Sequence, residues 1–141
     1  MPASQLRERL AAKGLALAQR EEEHKRDLDE ARERAAALRT RVDEGLKGYA
    51  HAIAGAPHLQ VTLGPVHPDE KHVRSVEFQV ARGRFRALFI VKAKGEITLV
   101  GPFRTGKTEG PCQSFPWGGS TEIDEAVAVF LESFLEEAAT P

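Results

Sequence analysis

The stretch His72–Val100, HVRSVEFQVARGRFRALFIVKAKGEITLV, decides the fold. Apolar and polar residues alternate along it, and two glycine turns divide it into three segments. A period of two is typical of strands that bury one face, and Arg82-Gly83 and Lys94-Gly95 are suited to tight turns. The alternating apolar positions are Val76, Phe78 and Val80, then Phe85, Ala87, Phe89 and Val91. The pattern predicts three consecutive antiparallel strands, His72–Arg82, Arg84–Ala93 and Glu96–Val100.

A further strand is expected before this stretch and a helix after it. Leu59, Val61 and Leu63 alternate in His58–Gly64, which completes a four-stranded antiparallel meander. Residues 121–138 are predicted to be helical, with a capping box from Thr121 to Asp124. The apolar positions of this segment follow the helical period and should cover the apolar side of the sheet: Ile123, Val127, Phe130, Leu131, Phe134 and Leu135.

Residues 4–54 are predicted to form one long helix. Good helix formers dominate, no proline interrupts the segment, Ser4 can cap its start, and Gly55-Ala56-Pro57 suits its end. Fifty residues of helix extend about 75 Å. The expected fold is therefore α+β, with a long helix in residues 1–56 and a small head domain in residues 57–141.

The long helix carries a heptad pattern that predicts a coiled coil. From Leu28 onward the spacing alternates between three and four residues, and we expect this seam to be the oligomerisation surface: Leu28, Ala31, Ala35, Leu38 and Val42. The seam is thin, so a solvated single helix and a hairpin broken near residues 20–27 stay open. After Val42 the period becomes 3.6, which indicates packing on the head. We expect that part to cover Leu88 and Ile90, so that the sheet lies between two helices.

Gly101–Thr108, GPFRTGKT, matches the phosphate-binding P-loop pattern. A working P-loop must open a helix, whose N-terminal N–H groups hold the phosphates. Pro111 and Gly110 oppose a helix here, and the chain is too short for the parallel sheet that such enzymes use. We therefore predict that the match is not a nucleotide site.

Residues 102–119 are expected to form a long irregular connection, and such connections are often functional. Its aromatic and basic residues make it a candidate partner-binding loop: Phe103, Arg104, Lys107, Phe115 and Trp117. The alternative is that the three aromatic residues only fix the loop across the end of the core.

The charge is unevenly distributed. Residues 57–117 carry nine basic and five acidic residues, whereas residues 118–141 carry six acidic residues and none that are basic. The acidic helix could neutralise the basic middle by packing beside it. Alternatively, basic residues on the second sheet face could bind an anion or a nucleic acid: Arg84, Arg86, Lys92 and Lys94.

The composition bounds the class of protein. The chain has 141 residues, of which 41% are hydrophobic and 29% charged, with one cysteine, Cys112. We predict a cytoplasmic protein with no membrane span, no signal peptide, and no catalytic, cofactor-binding or metal-ligating residues. The function expected is that of a non-enzymatic assembly protein, a homodimer or a partner of another helical protein. A nucleic-acid or phosphate binder is the alternative.

Overall fold

A computed structural model describes residues 2–69, 74–106 and 110–139. Within these ranges the chain forms one long helix, a six-stranded antiparallel sheet and a second helix. The elements are α1 (Ala3–Ala52), β1 (Thr62–Leu63), β2 (His67–Pro68), β3 (Ser75–Arg82), β4 (Phe85–Lys92), β5 (Glu96–Arg104), β6 (Cys112–Pro116) and α2 (Ser120–Ala139). The predicted α+β class is confirmed.

The sheet has the order β1–β3–β4–β5–β6, and β2 also pairs with β3. The predicted central hairpins are present, with Phe78 opposite Phe89 and Phe89 opposite Leu99. The predicted count of four strands omits β2 and β6. The first predicted strand is also shorter than expected, because Pro57–Leu59 forms a 3-10 turn and pairing begins only at Thr62.

Both helices lie on the same face of the sheet. Inward residues of β3, β4 and β5 share one hydrophobic core with α1 and α2, and Leu88 and Ile90 do not pack against that core. The expectation that the sheet lies between two helices is therefore wrong. The phenylalanines explain the arrangement, since Phe89 stacks on Phe78 and meets Phe130 of α2 edge-on. One apolar sheet face provides enough large side chains to bury two helix stripes.

The helix ends differ slightly from their predicted positions. Pro2 precedes the first residue of α1, so Ser4 lies inside the first turn and does not cap it. The helix ends at Ala52, before the Gly55-Ala56-Pro57 signal. α2 begins at Ser120, so Thr121 is already helical rather than the cap.

Arginine side chains join the helices to the rest of the chain. Arg39 Nε donates to the carbonyl of Gly64 at 2.8 Å, and Arg41 Nη1 donates to Asp124 Oδ1 at 2.9 Å. Arg82 donates to the carbonyls of His58 and Ala138, the second of which lies in the last turn of α2. A cation at a helix C-terminus is favourable because it meets the negative end of the helix dipole.

Candidate partner-binding surfaces

The predicted oligomerisation seam packs inside the chain. Ala31, Ala35, Leu38 and Val42 are at most 1% exposed, and Leu28 is partly buried against the same core. A side chain that is buried against its own sheet cannot also face a second helix. The seam is therefore not an oligomerisation surface, and helix–sheet packing begins at Leu28 rather than after Val42.

The part of α1 that precedes Leu28 does not pack on the hydrophobic core. All described side chains from Pro2 to Glu23 are exposed. Four leucines here are exposed: Leu6 by 50%, Leu10 by 63%, Leu15 by 64% and Leu17 by 46%. We call residues 3–27 the projecting helix; at 1.5 Å per residue it extends about 37 Å.

Three of these leucines form a stripe on the projecting helix. Leu6, Leu10 and Leu17 are separated by four and seven residues, so they share one helix face. Leu10 and Leu17 belong to the same heptad row as Ala31 and Leu38, which the sheet buries. The stripe is thus a continuation of the face that packs on the sheet, and none of the described residues buries it.

The predicted 102–119 loop is not one irregular segment. β5 continues to Arg104, and β6 occupies Cys112–Pro116. Phe115 and Trp117 pack against the core, and the N–H of Trp117 donates to the carbonyl of Gly95 at 2.6 Å. This agrees with the alternative that these aromatic residues fix the connection across the core.

The other predicted loop residues lie elsewhere. Arg86 pairs with Phe103, and the Arg104 guanidinium lies 5.6 Å from the centre of the Phe85 ring. Phe103 is six residues along β5 from Ile97, the partner of Phe115, which corresponds to about 20 Å. The predicted site is therefore divided between the two ends of the sheet, and Lys107 lies outside the described residues.

The four basic candidates do not form one patch. Arg84 and Arg86 lie near the start of β4, and Lys92 and Lys94 lie near its end, about 20 Å away. Lys92 Nζ is 2.8 Å from Glu96 Oε1, and Arg86 Nη1 donates to the carbonyls of Gly83 and Phe85. Two of the four cations are already engaged, so the arrangement gives little support to a continuous anion-binding face.

The P-loop match has the wrong local structure. Gly101–Arg104 belongs to β5, and the next described element is β6 rather than a helix. Gly101 approaches the neighbouring strand closely, since a Cβ here would lie 2.8 Å from the carbonyl oxygen of Arg86. The described part of this segment therefore serves the sheet instead of presenting helical N–H groups to phosphate.

Neither described helix covers the sheet face opposite the core. We call it the open face; its centre consists of Leu88, Ile90 and Val100, each partly exposed. Polar residues surround this centre, and Thr98 Oγ1 lies 2.9 Å from Ser114 Oγ. Such a half-polar face is usual for an antiparallel sheet with one face in water.

β6 is an edge strand, and no strand in the described ranges pairs with its outer side. It is the last strand in the sheet order, and Cys112, Gln113 and Ser114 are exposed. A groove of about 560 Å³ separates this edge from α2, and Val129 beside it is 57% exposed. The lining residues are Gln113, Thr121, Glu122, Glu125, Ala126 and Val129.

Sequence reasoning missed this edge because it interpreted residues 112–116 as loop. The available signal was weak: Phe115 and Trp117 are spaced by two residues, as on one side of a strand. The sequence predicts the apolar stripe of α2, but the residues of α2 that line the groove lie on the opposite side of that helix. Only the pairing of β6 with β5 brings the two together.

The ionisable groups do not assemble a chemical site in the described part of the chain. No group of three or more His, Cys, Asp or Glu residues there could hold a metal ion, and Cys112 is an exposed free thiol. The pKa of Lys47 is raised by its hydrogen bond to Asp43, then by the charges of Asp43 and Glu44. These residues form ion pairs on the solvent side of α1.

Among the helices in the described ranges, none has a stretch that would cross a membrane.

No function can be transferred to this chain from a known protein. A comparison of the chain with protein-family models, with curated proteins and with solved structures found no match.

Proposed function

We propose that the chain is a non-enzymatic assembly protein, which self-associates through the projecting helix and recognises a protein partner through its head. The observation that carries this proposal is the exposed stripe of Leu6, Leu10 and Leu17. Three leucines that are about half exposed or more on one face of a helix are unfavourable in water. Covering them with the same stripe of a second copy removes this cost.

The helix can persist without the head's support. It continues a helix that packing already fixes from Leu28 onward, so no new nucleation step is needed. Its sequence is rich in good helix formers. A stable rod that carries an apolar stripe is the kind of element that parallel or antiparallel helix pairs use.

Light scattering coupled to size-exclusion chromatography of the full chain tests the self-association. We expect a concentration-dependent dimer, which Leu10→Glu converts to monomer. Leu15→Glu is the matched control: Leu15 is equally exposed, but it lies five residues from Leu10, or about 140° around the helix axis. It should leave the dimer intact.

The outcomes separate the alternatives. A monomer at every concentration would overturn self-association and leave a helical partner of another kind. A dimer that both substitutions weaken equally would show that the stripe is not the contact. A dimer that neither affects would place the contact on the head instead of the projecting helix.

A further inference from the structure

The unpaired backbone of β6 can be assigned residue by residue. The N–H of Gly101 donates to the carbonyl of Pro111, and that of Trp117 to the carbonyl of Gly95. In an antiparallel pair, hydrogen-bonded and non-hydrogen-bonded positions alternate. Gln113 and Phe115 therefore bond to β5, whereas the N–H and carbonyl groups of Cys112 and Ser114 point away from it.

Two of the three outward positions of this edge lack the devices that usually protect a strand. Natural edge strands carry charges, prolines, bulges or a covering element. The strand β6 reads Cys-Gln-Ser-Phe-Pro and has no charged residue, and only its last position is proline. Of its three outward positions, Cys112 and Ser114 can each donate and accept a backbone hydrogen bond, whereas Pro116 can only accept one.

The groove beside the edge gives an added strand a place for its side chains. Gln113 lines the groove, so every second residue of a strand paired with β6 would project towards α2. There it meets two kinds of surface. Ala126 and Val129 are apolar, and Glu122 and Glu125 are acidic and exposed.

The charge of α2 selects the occupant. The helix carries six acidic residues and no basic one. Asp124 is paired with Arg41 of α1, while Glu122 and Glu125 make no ion pair with another residue in the described ranges. A second copy paired edge to edge would bring two such helices together, which like-charge repulsion opposes. Basic residues on an added strand would complement them.

We propose that β6 and the β6–α2 groove bind an extended segment of another protein by strand addition, and that this segment alternates basic and aliphatic residues on its groove side. Backbone hydrogen bonds to Cys112 and Ser114 supply the docking, as in other cases of strand addition. Glu122 and Glu125 with Val129 supply the selection. This proposal rests on the proposed function and specifies the kind of partner that the head binds.

A pair of blocked peptides tests the proposal on the full-length chain. The probe is Lys-Thr-Val-Thr-Lys-Thr-Val, which places lysine and valine on one side of a strand; the control peptide replaces both lysines with glutamate. Fluorescence anisotropy of labelled peptides should give a dissociation constant at least about tenfold lower for the lysine peptide. Bound lysine peptide should also slow amide hydrogen exchange at Cys112 and Ser114.

Charge reversal in the protein provides the second arm. Glu125→Lys should weaken binding of the lysine peptide at least about fivefold. Glu33→Lys, which changes the net charge equally on an exposed position of α1, should leave it unchanged. Unchanged thermal melting of both variants confirms that they fold.

Equal affinity for the two peptides, no binding, or equal effects of the two reversals would overturn the proposal. Protection of Cys112 and Ser114 in the free protein, abolished on dilution, would also overturn it, because a second copy would then occupy the edge. These readouts are independent of Leu10→Glu. Failure of the peptide arm leaves self-association through the projecting helix standing, and the reverse is also true.

Discussion

Phe89 stacks on Phe78 across β3 and β4, with ring centres 4.7 Å apart and ring planes within 3° of parallel. Phe130 of α2 meets Phe89 edge-on at 5.4 Å. Phe89 is thus the residue at which the two central strands and the second helix meet. All three rings belong to the core that α1 also covers.

Phe89→Ala should lower the free energy of unfolding by about 3–5 kcal/mol, because it removes a fully buried ring and leaves a cavity between the sheet and α2. Urea denaturation followed by far-ultraviolet circular dichroism measures the change. Val129→Ala, at an exposed position of α2, should change it by less than about 0.5 kcal/mol. Equal effects of the two substitutions would contradict the burial of Phe89 in the core.

Gly101→Ala should be more destabilising than Gly83→Ala by at least about 2 kcal/mol. Both glycines have positive φ, +128° and +55°, but only the first faces a neighbouring backbone. A Cβ at Gly101 would lie 2.8 Å from the carbonyl oxygen of Arg86, whereas at Gly83 it meets none of the described atoms within 4 Å. Thermal and urea unfolding of both variants provide the comparison.

The strong periodic patterns predicted their elements well. β4 alternates Phe85, Ala87, Phe89 and Val91, and both its existence and its buried face follow from that alternation. The apolar stripe of α2 is equally clear. In both cases the periodic pattern lies within a single element, so the sequence alone predicts that element and the face that it buries.

Contacts between distant elements could not be predicted in the same way. An apolar stripe shows that a helix must be covered but not what covers it, so the same residues fit a coiled-coil seam and a helix–sheet contact. Ala31 and Ala35 favour close approach of either kind. Likewise, β6 is recognisable only through pairing with β5, and Arg41 reaches Asp124 from 83 residues away.

Ala35→Leu distinguishes the two uses of the seam. In a coiled coil, leucine at a core position would strengthen association. In this structure Ala35 is 0% exposed against the sheet, so the larger side chain should lower the free energy of unfolding by about 1–3 kcal/mol. Ala36→Leu, at the adjacent exposed position, is the matched control and should have little effect. Urea unfolding at several protein concentrations measures both, and a gain in stability for Ala35→Leu would contradict the observed packing.

Two truncations locate the boundary between the projecting helix and the part of α1 that packs on the sheet. Removal of residues 1–24 deletes the four exposed leucines and should leave a folded, monomeric protein whose free energy of unfolding in urea is nearly unchanged.

Removal of residues 1–40 also deletes Ala31, Ala35 and Leu38, which are fully buried, and Arg39, which donates a hydrogen bond to the carbonyl of Gly64. Loss of a buried leucine alone costs about 2–5 kcal/mol, and the sheet face beneath it would become exposed. The chain that lacks residues 1–40 should therefore be largely unfolded, with poorly dispersed amide resonances in its nuclear magnetic resonance spectrum. A well-folded chain that starts at Arg41 would mean that the sheet and α2 form a complete core without α1. The interpretation of the seam as an internal contact would then fail.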